Sequence, residues 1–108
     1  MLEQIKTVLN LKHHEADAVL ESLIETTQNR LKILLGGIEA VPEELSYIVI
    51  EVVISRFNRI GSEGLSSHSV EGESMAWSQD DFDAYKTDIS EWKRQNEKDK
   101  GRGVIRFL

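Results

Sequence analysis

The chain has 108 residues and a mass of 12.3 kDa, enough for one small domain, and its 40% apolar and 30% charged residues are an ordinary globular composition. It holds no cysteine, which excludes a disulfide scaffold, a thiolate zinc site, an iron–sulfur cluster and a cysteine nucleophile. A net charge of −6 argues against simple coating of DNA or RNA by a basic surface.

The first residues, Met1-Leu2-Glu3-Gln4-Ile5-Lys6, show no basic region followed by an apolar run, so no secretory signal is visible. Leu2, Ile5, Val8 and Leu9 recur at helical spacing and predict a short amphipathic helix broken at Asn10. Ala16, Val19, Leu20, Leu23, Ile24, Thr27, Leu31, Leu34 and Leu35 then mark one broad apolar face over about six helical turns. Gly36-Gly37, just past the last periodic residue, predicts the stop of this second helix.

Pro42, followed by Glu43 and Glu44, predicts the start of a third helix, with proline at the first helical position and carboxylates against the macrodipole. Its run holds six β-branched residues, Ile48, Val49, Ile50, Val52, Val53 and Ile54, which by propensity favour a strand. A helix is nevertheless expected. The apolar pattern extends to Phe57 and Ile60, Gly61 supplies a stop, and about nineteen residues is too long for a typical strand. Such a helix is apolar nearly all round and needs cover on nearly every side, which a second subunit would supply. The longest apolar stretch, residues 47–54, contains Glu51 and is far short of the roughly 20 residues a membrane span requires.

Residues 61–78 change character, with three glycines, six serines and almost no helical periodicity. Glu71-Gly72 suits a tight turn, with Met75 and Trp77 on one face of the following run, so a weak β-hairpin is expected there. An isolated hairpin is marginal in water and needs a neighbour to pair with. Ser78-Gln79-Asp80-Asp81 reads as a helix N-terminal capping sequence. Phe82, Tyr85, Ile89 and Trp92 then form the stripe of a last amphipathic helix ending near Lys98. The expected architecture is mainly α: about four helices in a small bundle over residues 1–99, a hairpin or extended loop over 61–78, and an extended C-terminal tail over 100–108. Charge is uneven along this plan. Residues 61–91 carry eight acids and one base, and residues 92–108 carry six bases and two acids.

Little in the chain suggests catalysis. His13-His14-Glu15-x-Asp17 is the one metal-like grouping, but adjacent helical histidines diverge and read better as solvated polar residues opening the second helix. His68 reads as a hairpin surface residue. Asp80, Asp81, Asp83 and Asp88 lack the glycine turn and terminal glutamate of a calcium loop, no serine sits in Gly-x-Ser-x-Gly, and Gly36-Gly37 lacks the lysine of a phosphate loop. No catalytic, cofactor or metal residue is therefore assigned. A helix-turn-helix reading of residues 31–60 fails on Glu43 and Glu44 at the groove-entering end, and Arg56 and Arg59 are expected to be solvated or paired.

The order of these parts resembles the small head–tail connector (head-completion or adaptor) proteins of long-tailed phages and prophages. The resemblance spans nearly the whole chain. It rests on the short first helix, the polar break before Ala16-Asp17-Ala18-Val19-Leu20, the proline-started third helix, and the segment Glu63-Gly64-Leu65-Ser66-Ser67-His68-Ser69-Val70-Glu71-Gly72-Glu73-Ser74-Met75-Ala76-Trp77 before an acidic-started last helix. The chain departs from the family in Thr26-Thr27, where small alanines are common.

The resemblance implies a structural virion protein at the head–tail junction, assembled in the host cytoplasm into a roughly dodecameric ring beneath the portal. Its partners would be other copies of itself, the portal protein, and a downstream stopper or tail protein. DNA would only pass through the channel, and no membrane is involved. A ring would bury the third helix through Ile50 and Ile54 and give the hairpin, through Leu65, Val70, Met75 and Trp77, a strand to pair with. The tail residues Arg102, Val104, Ile105, Arg106, Phe107 and Leu108 would reach the portal. Glu71, Glu73, Asp80, Asp81 and Asp83 would line the channel, so that DNA slides without sticking. The alternative is a small helical DNA-packaging or regulatory protein that binds nucleic acid.

Overall fold

A computed structural model describes the backbone of residues 1–63 and 81–104 and the side chains of residues 1–60 and 81–97. Among these described residues lie four α-helices and no strand: α1 (Leu2–Leu9), α2 (Asp17–Leu34), α3 (Ser46–Glu63) and α4 (Lys86–Val104). Two short 3-10 turns, Glu43–Leu45 and Asp83–Tyr85, lead into α3 and α4. The mainly helical expectation holds. The hairpin expected over 61–78 lies outside the described residues from Gly64 onward, and residues 61–63 belong to α3.

The first two helices end by the same device. The Asn10 N–H donates to the Thr7 carbonyl (3.1 Å) and the Leu11 N–H to the Lys6 carbonyl (2.8 Å). At the end of α2, Gly36 N–H donates to Ile33 (3.0 Å) and Gly37 N–H to Lys32 (2.8 Å). These paired bonds form Schellman motifs, which satisfy carbonyls the helix leaves orphaned and require a left-handed residue after the last turn. Asn10 supplies it at φ 58°, Gly36 at φ 102°. Both stops fall where the sequence predicts them.

The two ends of α3 differ from expectation. Pro42 stands outside the helix with extended backbone (φ −62°, ψ 145°), and its carbonyl accepts from Leu45 N–H (2.9 Å) to close the 3-10 turn. Proline's fixed φ suits that cap position as well as the first helical one. At the other end Gly61 does not stop the helix, which runs on to Glu63. A helical glycine costs only about 1 kcal/mol relative to alanine, and no left-handed cap forms there to end the run. Similarly, α4 continues past Lys98 to Val104, so Arg102 and Val104 stand on the helix and not on an extended tail. Two glycines at 101 and 103 weaken a helix without forbidding it. Residues 105–108 lie outside the described ones.

The core shows why α3 is helical despite its composition. Ile48, Val49, Val52 and Val53 are each at most 1% exposed, packed with Leu20, Leu23 and Leu31 of α2 and Ile5 of α1. Each β-branched residue costs up to about 0.7 kcal/mol of helix propensity. Burying each side chain returns about 1.5–3 kcal/mol, so packing wins. The cover comes largely from the chain itself. Ile50, Ile54, Phe57 and Ile60 are half-buried against the same core, and Glu51, Ser55 and Asn58 face water. A second subunit is therefore not needed to hide the buried side of α3. The surface left for one is the half-covered flank.

Candidate assembly surface

The last helix meets α3 along a ladder of polar side-chain bonds. Trp92 Nε1 donates to Glu44 Oε2 (3.0 Å), the Tyr47 hydroxyl donates to Asp88 Oδ2, and the Tyr85 hydroxyl donates to Glu51 Oε1 (2.6 Å). Arg59 Nη2 forks onto both oxygens of Asp81 (3.0 and 3.2 Å). Residue numbers rise on one helix as they fall on the other, which is the signature of an antiparallel pair. The spacing follows from helix geometry: Tyr47 and Glu51 on α3 continue a face begun by Glu44 in its 3-10 lead-in, and Asp88 and Trp92 on α4 continue one begun by Tyr85 in its own. Between the rungs the Tyr47 and Tyr85 rings meet edge to face, with centroids 6.3 Å apart.

The ladder's electrostatics follow from its bonds. The Asp88 carboxylate that accepts from Tyr47, aided by burial and Glu51, pushes that phenol up to about 12. For Tyr85 burial leads, followed by the bond to Glu51, and that phenol is also pushed up to about 12. Glu44 is held below its usual range by a backbone N–H bond at the helix start and by Trp92.

Two further clusters tie the bundle together. Arg56, only 4% exposed, donates from Nη1 to Thr26 Oγ1 (2.9 Å) and Thr27 Oγ1 (3.0 Å) across the α2–α3 contact. Burial lowers its pKa, the field of Asp81 acts to raise it, and Arg59 lowers it. Thr26-Thr27 is thus matched to this arginine. At the other end Lys6, 5% exposed, reaches Asp17 Oδ1 at 2.8 Å. His14 Nδ1 lies 2.9 Å from Asp17 Oδ2 and 3.1 Å from Lys6 Nζ, so it either donates to the carboxylate or accepts from the ammonium, not both at once. The Lys6 hydrogen bond is the main reason the Asp17 carboxyl sits below its ordinary range.

Ile50 and Ile54 lie half-buried on the flank of α3, and Tyr47, 37% exposed, extends the strip at helical spacing. Asp83 is exposed and pairs with Lys86 (3.2 Å). Asp81 departs from the channel-facing expectation: its side chain is 2% exposed and held by Arg59. Leu65, Val70, Glu71, Glu73, Met75, Trp77 and Asp80 lie outside the described residues. Among the described residues no group of three or more His, Asp or Glu is placed to hold a metal ion, and no helix is long and apolar enough to cross a membrane. Arg59 is paired, with Asp81, and Arg56 is buried on two threonines, where the sequence allows either to be solvated or paired; the Lys6–Asp17 pair and the other three rungs of the ladder were not foreseen.

A small helical bundle with polar clasps and a half-covered apolar strip is the build of a structural interaction module. The sequence model of the family described as "Phage gp6-like head-tail connector protein" matches residues 1–93, most of the chain from α1 into α4. The chain belongs to this family of phage head–tail connectors, a structural virion family and not an enzyme class. No curated protein and no solved structure matches the chain.

Proposed function

We propose that the protein forms a ring beneath the portal, joins the DNA-filled head to the tail, and contributes part of the DNA channel. The family match over residues 1–93 carries this reading. The half-covered flank of α3 at Ile50 and Ile54, beside Tyr47, supports it, because a partly exposed apolar flank suits a neighbouring copy. In this reading the segment 64–80 reaches the adjacent subunit through Leu65, Val70, Met75 and Trp77. Residues 102–108 reach the portal, and a stopper or tail protein binds the opposite face. Glu71, Glu73, Asp80 and Asp83 supply the acidic channel lining, with Asp81 withdrawn into its bond with Arg59.

A nucleic-acid-binding role gains no support at α3, whose basic residues are engaged within the bundle: Arg56 with two threonines and Arg59 with Asp81. The test mixes the purified chain with the portal of the same phage and images the product by electron microscopy. A ring of added density below the portal is expected. Absence of binding, together with duplex-DNA affinity that falls steeply with salt, would overturn the connector reading in favour of the nucleic-acid one.

A further inference from the structure

We propose that α4, with its 3-10 lead-in, is a strap that lifts from the α1–α3 bundle as a unit, hinged at Asp81 and opening from the Trp92 end. All nine described side chains with less than 2% exposure come from α1, α2 and α3. Among its described side chains the strap adds only Phe82 (9% exposed) and Ile89 (8%) to the buried core, with Tyr85 and Trp92 half-buried beside them. It is held to α3 chiefly by the ends of long side chains. Three of the four rungs, Trp92–Glu44, Tyr47–Asp88 and Tyr85–Glu51, are exposed, so water replaces each bond when it breaks. The fourth rung is different. The Asp81 side chain is 2% exposed and both its oxygens accept from Arg59, so this charge-assisted rung costs more to break than the exposed ones. The cheap rungs thus lie far from the connecting segment and the costly one lies next to it, which sets the direction of opening. Lifting the strap uncovers Ile89 and the part of the core it closes, while Phe82 stays beside the hinge. This inference stands independently of the connector reading.

Native-state amide exchange of the full chain, followed by NMR, tests it. In the unaltered protein, amides of residues 88–97 exchange by local opening, faster than those of Leu23, Thr27, Val49 and Val52. Tyr47→Phe raises exchange in α4 by about five-fold, the effect of one lost hydrogen bond, and leaves α2 unchanged. The Tyr85 amide, bonded to the Phe82 carbonyl at 3.0 Å, reports the hinge. Its protection survives Tyr47→Phe and falls in Arg59→Gln. Equal protection of α4 and α2 in the unaltered protein would overturn the strap, and this readout needs no variant to fold. Loss of Tyr85 protection in Tyr47→Phe would overturn the hinge.

Discussion

At the scale of single residues, the bundle is set by polar groups that the hydrophobic pattern does not reveal. Thr27 has no exposure and accepts from Arg56, so removing its hydroxyl strands a buried guanidinium donor. Thr27→Val is expected to destabilise the protein by about 1–3 kcal/mol in chemical denaturation, despite conserving volume. A shift near zero would show that Arg56 is satisfied without it. Two titrations check the other bonds. Asp17 is held below its ordinary value near 4, so its contribution is present above about pH 4 and is lost as pH falls through its folded value. Asp17→Asn should erase that part of the acid profile, and an unchanged profile would contradict the Lys6 clasp. The chain has two tyrosines, both bonded to carboxylates and pushed up to about 12. Raised donors contribute below the unfolded value near 10, and that contribution is lost as pH rises through about 12. The near-ultraviolet phenolate signal of the folded protein should therefore rise near pH 12, and that of the denatured chain near 10.

At the scale of elements, α1 and α2 were legible in the sequence and the ends of α3 and α4 were not. Asn10 and Gly36 stop their helices because each can take a left-handed φ, a requirement tied to residue type and so visible in sequence. Gly36→Ala meets nothing within 4 Å, and its cost is backbone strain alone at φ 102°. A loss of about 1–2 kcal/mol is expected on thermal or chemical unfolding. Gly61 and the two glycines of α4 show the limit of the same reasoning, since a glycine stops a helix only where the flanking carbonyls find capping partners. The ladder had a sequence signal: Glu44, Tyr47 and Glu51 carry a spacing that answers Tyr85, Asp88 and Trp92 in reverse order. That match could be read only once α3 and α4 were known to be antiparallel neighbours. Lys6 and Arg56 were less legible, because a charged residue beside an apolar stripe looks the same whether its head reaches water or a buried partner.

At the scale of the whole molecule, the described residues form a helical core of three elements with a fourth fastened largely by polar bonds, and the chain belongs to a family of phage head–tail connectors. The apolar run of α3 pointed to a neighbouring subunit. The bundle itself covers most of that run and leaves a narrower strip at Tyr47, Ile50 and Ile54. A charge placed in that strip separates assembly from folding. Ile54→Glu costs some stability, because Ile54 also packs on the core, so its circular dichroism and unfolding are compared with those of a matched Ile54→Ala variant. Ile54→Glu is expected to block joining of heads to tails where Ile54→Ala does not, and normal joining would remove the strip from the interface. The most direct test of the connector role is electron microscopy of particles made by a phage or induced prophage lacking this gene. The account predicts tailless heads, many of them emptied of DNA, beside free finished tails. Normally joined, DNA-filled virions would contradict it.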